Sequence, residues 1–241
     1  MGRMFEKRKH TMFARYDRMA KQFALIGKDI VIAVKAGGPD PDLNPQLRRA
    51  MQNAKGVNMP KDKVDAAVKR AMGKDTASYD EVLYEGYGPH GAALLIDAAT
   101  DNVNRTVANL RAVFSRNGGN LGTTGSVAFQ FTKMGAFALD PDAVGDRDAL
   151  ELDLIDEGLE SLEDGATEDG RAVWVARCAF ADFGQMQRAL EARGVEPVTA
   201  EVEYVPTSTT DLADDEADAV LDLVGKLEAD EDVQRVFHNL A

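Results

Sequence analysis

The spacing of apolar residues changes its period near Tyr79, and this change restricts the possible folds more than any other feature. Before Tyr79, apolar residues recur mostly every three or four positions, which predicts one or two helices over 4–35 and further helices over 44–55 and 60–72. Asn44 is the expected cap of the helix over 44–55. After it, short alternating runs typical of strands are interleaved with helical runs. The chain is therefore predicted to be an α+β protein whose N-terminal part is entirely helical.

The part of the chain after Tyr79 supplies two sets of strands and helices. The predicted succession is strands at 82–88 and 92–98, a helix at 103–114, a strand from 127 to 139, a helix over 147–162, a strand at 173–178, a helix from 183 to 194, a strand at 198–205, and a C-terminal helix and strand. The first set lacks the second helix and fourth strand of a split β-α-β sandwich, which the C-terminal elements would supply. We therefore predict three domains: an all-α helical head at 1–78, a discontinuous α/β domain of 79–134 with 207–241, and an acidic α/β domain of 135–206 inserted into it, both α/β modules being ferredoxin-like.

The composition is that of a globular protein from a reducing compartment. The chain has 241 residues, 44% of them hydrophobic and 29% charged, which excludes fibrous and wholly disordered classes. No apolar stretch reaches the roughly 18 to 20 residues of a membrane span, and charges occupy the N-terminus where a signal peptide is apolar. Cys178 is the only cysteine, so no internal disulfide can form. We expect a soluble cytoplasmic protein without a membrane partner.

Positive and negative charges are distributed unevenly along the sequence. Residues 1–75 carry 17 Lys and Arg against 8 Asp and Glu, whereas residues 135–241 carry 7 against 28, within a net charge of −13. A basic head beside an acidic remainder is typical of contact with a polyanion, although the head could instead dock on the acidic part of its own chain. The candidate nucleic-acid-binding residues are Arg3, Lys7, Arg8, Lys9, Arg15, Arg18, Lys21, Lys28, Arg48, Arg49, Lys61, Lys63, Lys69 and Arg70.

The sequence carries no recognisable catalytic or metal-binding motif. Its three histidines do not have the spacing of metal ligands. Asn102, Asn104 and Arg105 at a helix start, beside the glycine-rich segment 118–125, could hold an anion in an enzyme. Helix capping and a tight turn explain the same residues better. We therefore assign no catalytic residue, no metal and no cofactor.

Two acidic clusters lie near the C-terminus, at 211–218 and 228–232. Neither follows the spacing of a calcium-binding loop. The first suits the start of a helix, where negative charge is favourable, but the second lies at a helix end. These clusters leave open a further hypothesis, an adaptor that binds basic proteins.

Several short segments of characteristic sequence follow one another along the chain in a specific order. They are Asn58-Met59-Pro60-Lys61, Tyr84-Glu85-Gly86-Tyr87-Gly88-Pro89-His90-Gly91, Thr100-Asp101-Asn102-Val103-Asn104-Arg105-Thr106, Gly118-Gly119-Asn120-Leu121-Gly122, Gly125-Ser126-Val127-Ala128-Phe129, Asp232-Val233-Gln234 and His238-Asn239. Together they resemble the YebC/PmpR family over nearly the whole chain. The family motif residues are Glu85, Gly86, Tyr87, Gly88, Asp101, Asn102, Asn104, Arg105, Gly118, Gly119 and Gly122. Many members open with Gly-His-Ser-Lys-Trp, whereas this chain opens with Gly2-Arg3-Met4-Phe5-Glu6, so it resembles a divergent N-terminal branch.

The resemblance implies a role in gene expression without catalysis. Members of the family are described as probable transcriptional regulators, and mitochondrial relatives as translational activators of cytochrome c oxidase. The resemblance also implies an all-α head followed by two α/β modules. Our first hypothesis is a DNA-binding transcriptional regulator that contacts promoter DNA through the basic head. The alternative is a ribosome-associated translation factor that binds ribosomal RNA, and the oligomeric state stays open.

Overall fold

A computed structural model describes residues 3–73, 78–167 and 170–241, with side chains described from Arg18 onward. This part of the chain divides into two compact units. The first contains the helical head together with Pro197–Ala200, and the second contains the rest of the described chain.

Three helices account for most of the described part of the head. They are α1 (Arg3–Gly37), α2 (Pro45–Gly56) and α3 (Lys61–Ala71). The buried amide of Asn44 joins the first two, because its Oδ1 accepts from Leu47 N at 3.1 Å and its Nδ2 donates to Ala33 O at 2.7 Å. One side chain thus caps the start of α2 and satisfies a carbonyl near the end of α1. The cap at Asn44 is the one that the sequence predicts.

The first unit also contains a short segment from far along the chain. The Asn53 amide pairs with the main chain of Ala200, accepting from its N at 2.8 Å and donating to its O at 3.1 Å. Gln52 Nε2 donates to Pro197 O at 2.9 Å. A Cβ on Gly56 would lie 1.9 Å from Val198 O, so only glycine allows this approach. The sequence alone gives no sign that this segment packs with the head.

The second unit contains the remaining helices and the strands of the two sheets, except for Thr199 and Ala200 at the start of the seventh strand, which belong to the first unit. In chain order they are β1 (Asp80–Tyr87), β2 (Ala93–Thr100), α4 (Val103–Arg116), β3 (Asn120–Leu121), β4 (Phe131–Leu139), α5 (Pro141–Val144), α6 (Arg147–Ile155), β5 (Leu159–Ala166), β6 (Ala172–Ala179), α7 (Phe183–Ala192), β7 (Thr199–Pro206), α8 (Asp214–Glu228) and β8 (Val233–His238). The strands form two four-stranded sheets, in the orders β3-β1-β2-β8 and β5-β6-β4-β7.

The first sheet obtains its last strand from the C-terminus of the chain. Strand β8 pairs antiparallel with β2, placing Phe237 opposite Leu95. One face of the sheet packs its β2 residues Leu94 and Ile96 against Phe114 of α4 and Leu223 of α8. The elements of the second sheet lie between β3 and α8 in sequence, so the second module is inserted into the first.

The second sheet follows the chain order β-α-β-β-α-β. Its strand order places β4 and β6 in the centre, which is the split βαβ arrangement of ferredoxin-like modules. Phe137 of β4 packs on Phe183 of α7 with ring centroids 4.7 Å apart. The first module has the order β-β-α-β and later α-β. The predicted class, an α+β chain with a helical head and two α/β modules, one inserted, is confirmed.

The predicted helix over 147–162 is wrong in its second half. Helix α6 ends at Ile155, and Gly158 follows with φ 93°, a left-handed conformation that favours glycine. Leu159 and Leu162 belong to β5 instead, pairing with Cys178 and Ala176 across a register shift. The extra residue of the bulge lets two leucines three positions apart share one face of the sheet, which imitates helical spacing.

The predicted strand from Val127 is also wrong at its start. Residues Ala128–Gln130 form a single 3₁₀ turn, and β4 begins at Phe131. Val127 and Phe131 are buried, but Phe129 between them is 73% exposed. Of the alternating apolar residues Val127, Phe129 and Phe131, the first two therefore precede the strand, at a turn that directs the Phe129 ring outward.

Two further expectations concern boundaries and membranes. The domain boundaries at 78, 134 and 206 stay predictions. Within residues 3–73, 78–167 and 170–241, no helix has the length and apolar character required to cross a membrane.

Candidate nucleic-acid interface

The candidate cations of the head differ in their exposure. Arg18, Lys21, Lys61, Lys69 and Arg70 are exposed. Lys28 and Arg49 are half-buried. The remaining candidates of α1 lie outside the residues whose side chains are described, and they are Arg3, Lys7, Arg8, Lys9 and Arg15.

Lys63 and Arg48 are among the candidate cations that make contacts within the head. The Lys63 Nζ lies 4.8 Å from the centroid of the Phe23 ring, a cation–π contact between α3 and α1. Arg48 donates from Nε to Pro41 O at 3.2 Å and from Nη2 to Asp42 O at 3.3 Å. These two side chains stabilise the head, so they are weaker candidates for phosphate contacts than Lys21, Lys61 and Lys69.

A row of lysines runs along α1. Lys21, Lys28 and Lys35 are separated by seven residues each, so they share one side of the helix. Fourteen residues of helix span about 21 Å, which is roughly six base-pair steps of a duplex. Lys35 was not among the sequence candidates, although its seven-residue spacing from Lys28 could have identified it.

The family motif residue Glu85 lies in the second unit, where its carboxylate is buried. Oε1 accepts from Gly125 N at 2.6 Å, and Oε2 accepts from Val127 N at 2.7 Å and from Ala128 N at 2.8 Å. Burial opposes ionisation of the carboxylate, but these N–H groups and that of Ser126 lower the pKa of Glu85 below its ordinary value. A single carboxylate therefore fixes the loop before β4.

The glycines of the motif allow close approach of the chain around Glu85. A Cβ on Gly86 would lie 2.7 Å from the Phe114 ring, and one on Gly119 would lie 2.7 Å from Tyr87 O. A Cβ on Gly122 would lie 2.4 Å from Ser126 Oγ, and Gly122 N donates to Glu85 O at 2.7 Å. The glycine-rich segment thus packs against β1, as the tight-turn interpretation requires.

The other motif glycines have different roles. Gly118 has φ 75°, a left-handed conformation directly after α4. Gly88 lies against the Leu94 side chain, which a Cβ would approach to 3.3 Å. The Tyr87 hydroxyl donates to Ser126 O at 2.8 Å, which adds a second anchor to the Glu85 loop.

The loop held by Glu85 belongs to a long uncharged stretch. Residues 117–132, here called the uncharged segment, contain no Asp, Glu, Lys or Arg over 16 positions. The flanking charges, Arg116 and Lys133, are both positive. Phe129 extends from the segment with 73% of its surface exposed. Sequence reasoning missed Phe129, although its place at the centre of a charge-free stretch is visible in the sequence.

A second cluster joins the start of α4 to the residues before β8. Asp232 is buried and accepts from Arg105 Nη2 at 2.7 Å, from Thr106 Oγ1 at 2.9 Å and from Thr100 Oγ1 at 3.1 Å. Arg105 Nη2 also donates to Asp101 at 2.8 Å. Hydrogen bonds to the two carboxylates, that to Asp232 being the larger cause, raise the pKa of Arg105 above its usual range. The cluster therefore fixes the helix start with charged side chains.

The remaining motif residues at this helix start are Asn102 and Asn104. Asn102 is the N-cap, and its Oδ1 accepts from Arg105 N at 3.1 Å. The Asn104 side chain is exposed. The structure gives Asn102 and Arg105 structural contacts, in line with the capping interpretation. Among the described residues, no group of three His, Cys, Asp or Glu side chains is arranged to hold a metal ion.

Comparison with known proteins accounts for both parts of the chain. Residues 3–74 match the TACO1/YebC protein N-terminal domain, and residues 79–240 match the TACO1/YebC second and third domain. The chain belongs to the TACO1/YebC family. The family resemblance seen in the sequence is thereby confirmed, including the part that covers the divergent N-terminus.

Relatives in the TACO1/YebC family are similar to this chain over its full length. Proteins named probable transcriptional regulatory protein from Anaeromyxobacter dehalogenans and Myxococcus xanthus are each 59% identical over 241 residues, with 100% of both chains covered. One of the same name from Cytophaga hutchinsonii is 48% identical, with 100% of this chain and 99% of the other covered. The crystal structure of a conserved hypothetical protein from Aquifex aeolicus has a TM-score of 0.81 at 33% identity, covering 92% of this chain and 90% of that one.

Proposed function

We propose that this TACO1/YebC protein is a non-enzymatic regulator of gene expression that binds DNA through its helical head. The observation that carries the proposal is the set of exposed cations Lys21, Lys61 and Lys69 on a head with 17 basic and 8 acidic residues within 1–75. The names of the relatives, probable transcriptional regulatory protein, support a regulatory role. The capping and ion-pair contacts of Asn102 and Arg105 support a role without catalysis.

Electrostatics would restrict DNA contact to the head. Residues 135–241 carry 28 acidic against 7 basic residues, so this part of the chain repels phosphates. Binding through the head releases counterions, and the logarithm of affinity then falls with the logarithm of salt concentration, with a slope of roughly 0.9 for each phosphate contacted. The slope is therefore the direct measure of how many head cations contact DNA.

The proposal is tested with the variant Lys21→Ala, Lys61→Ala, Lys69→Ala. Its affinity for duplex DNA and the salt slope are compared with those of the unmodified protein by fluorescence anisotropy. We expect weaker binding and a slope smaller by up to about 2.7, corresponding to three phosphate contacts. The matched control is Arg111→Ala, Arg188→Ala, Lys226→Ala, which removes the same number of exposed cations outside the head and should leave the slope unchanged.

The outcome contradicts the proposal if the triple variant keeps both the affinity and the slope of the unmodified protein. An equal loss in the control variant would also contradict it, because the effect would then follow net charge and not the head.

A second candidate function is a ribosome-associated translation factor that binds ribosomal RNA. The observation that favours it is the uncharged segment with Phe129 exposed, since aromatic side chains on a neutral surface suit unpaired RNA bases better than duplex DNA. Sedimentation of tagged protein from lysate, with and without nuclease, separates the two candidates. Migration with intact ribosomes favours translation, whereas salt-sensitive retention on DNA favours transcription.

A further inference from the structure

The Phe129 ring is held in an exposed position by contacts on both sides. Val127 and Phe131 are buried, at 0% and 8% exposure, so the backbone is fixed immediately before and after the ring. Before the ring, Glu85 accepts from Val127 N and Ala128 N. After the ring, Gln130 O accepts from Thr207 N at 2.8 Å. A large apolar side chain that is 73% exposed on a fixed turn has already lost most of its backbone freedom, so a ligand would need to order little further.

The charge distribution around Phe129 restricts the chemistry of a partner. The uncharged segment of 16 residues lies in a chain with 29% charged residues and a net charge of −13. The nearest charges in the sequence are those of Arg116 and of Lys133, whose Nζ lies 4.0 Å from the centroid of the Phe180 ring. The Glu85 carboxylate is buried and accepts hydrogen bonds from main-chain N–H groups of the loop. A polyanion can approach this segment without meeting a carboxylate from it, whereas residues 135–241, with 28 acidic against 7 basic residues, repel a polyanion.

The polar groups of the uncharged segment are hydroxyls and amides. Thr123, Thr124 and Asn120 are exposed, as is Thr207, whose main chain and hydroxyl contact the same turn. Neutral hydroxyls and amides beside an aromatic ring are the groups that bind single-stranded RNA, through stacking of the base and hydrogen bonds to base edges and the 2′-hydroxyl. Ser126 Oγ is buried, and it has no hydrogen-bond partner among the described residues.

We propose that the uncharged segment is a second contact surface, on which Phe129 stacks an unpaired base of single-stranded RNA. The surface lies in the second unit and acts independently of the head cations. This inference rests on the proposed function in one respect, namely that the protein binds nucleic acid. Glu85 is a positioning residue for this surface, because it contacts the loop main chain and not the partner.

The proposal is tested with the full chain and an oligouridine RNA of about 12 nucleotides, a length within the site size of single-strand binders. Oligouridine stacks little on itself, so it leaves its bases available. We expect Phe129→Ala to weaken binding roughly 5- to 150-fold, which is the loss expected when one base no longer stacks on an aromatic ring. Phe129→Leu should weaken binding similarly, because it stays apolar but has no ring, whereas Phe129→Trp should keep the affinity.

Three comparisons complete the experiment. Leu152→Ala is the matched control, since Leu152 is 70% exposed on α6 outside the uncharged segment, and it should bind RNA like the unmodified protein. The Phe129 variants and the unmodified protein should have the same affinity for an RNA duplex of the same length. The Lys21, Lys61, Lys69 triple variant should lose duplex affinity, whereas adding Phe129→Ala to it should still weaken oligouridine binding, so failure of the head proposal is seen separately from failure of this one.

Several results would overturn the proposal. They are undetectable binding of oligouridine by the unmodified protein, equal affinity of Phe129→Ala and the unmodified protein for oligouridine, retention of affinity by Phe129→Leu, and equal affinity of the unmodified protein for oligouridine and oligodeoxyuridine. Loss of a protein partner by Phe129→Ala with RNA affinity intact would instead assign the ring to a protein interface. Equal thermal midpoints of the variants, expected for an exposed side chain, show that any loss is not unfolding.

Discussion

Two buried carboxylates in the first sheet module, Glu85 and Asp232, obtain their hydrogen-bond donors from different parts of the chain. Glu85, 4% exposed, accepts from main-chain N–H groups of the loop at Gly125–Ala128. Asp232, 5% exposed, accepts from the side chains of Thr100, Thr106 and Arg105. Both residues belong to segments of the family pattern.

The difference determines what each carboxylate controls. Main-chain donors are present whatever the loop sequence is, so Glu85 fixes a backbone shape and leaves side chains such as Phe129 free to face outward. Side-chain donors can rotate, and Thr106 Oγ1 also reaches Thr100 Oγ1 at 2.8 Å and Asn102 O at 3.2 Å. The Asp232 cluster therefore has alternatives when one member is lost, whereas the N–H groups of Gly125, Val127 and Ala128 all depend on the one Glu85 carboxylate.

The largest effect is expected for Glu85→Ala. It leaves three N–H groups of the loop without their acceptor, and we expect a loss of about 3 kcal/mol in the free energy of unfolding. Chemical denaturation measures the loss. Hydrogen exchange should show faster exchange at Gly125, Val127 and Ala128, and unchanged exchange there would contradict the role assigned to Glu85.

A smaller loss is expected for Asp232→Ala. The two threonine hydroxyls can partly satisfy each other, so we expect about 2 kcal/mol, measured by chemical denaturation. Exchange at the loop amides of Gly125 and Val127 should stay slow in this variant. If Asp232→Ala destabilised the protein more than Glu85→Ala, the distinction between main-chain and side-chain donors would be wrong.

Acid should weaken the Glu85 loop in particular. The pKa of Glu85 is lowered in the folded protein, so its contribution to stability is complete above its unfolded value of about 4.3 and is lost as the pH falls through the folded pKa. Glu85→Gln has no such titration, so the stability difference between it and the unmodified protein should shrink as the pH falls below about 4. A constant difference from pH 7 to pH 3 would argue against an ionised Glu85.

The smallest effect is expected for Asp101→Ala. Asp101 contacts the same Arg105 as Asp232 does, but its side chain is 45% exposed, and an exposed ion pair contributes little. We expect a loss of no more than about 0.5 kcal/mol. Comparison with Asp232→Ala then separates the contribution of the buried ion pair of Arg105 from that of its exposed ion pair. Equal losses in the two variants would mean that burial is not the cause.

The parts of the structure that the sequence predicted depend on neighbouring residues. The caps at Asn44 and Asn102 were predicted, because an N-cap contacts an amide only three residues away. The helical head and the insertion of one module into another followed from apolar periodicity and an unbalanced count of strands. The candidate site was predicted as a set of cations, but the engagement of Arg48 and Lys63 within the head was not.

The errors occurred where tertiary contacts alter the meaning of a local pattern. Leu159 and Leu162 have helical spacing, yet a bulge paired with β6 places both on one face of a strand. The acidic cluster at 228–232 left a partner surface open, and the structure buries one of its members, Asp232, against Arg105. No pattern within a few residues of Asp232 indicates that partner.

The sequence by itself determined the helical head, the uneven charge distribution and the family, since these depend on spacing, composition and the order of motifs. Only the tertiary structure decided the partners of the two carboxylates and the exposure of Phe129. Glu85 meets its loop across 40 positions, and Asp232 meets Arg105 across 127. Contacts over such separations depend on which strands pair and in which register. Those choices are made by the packing of the whole sheet and not by any one segment.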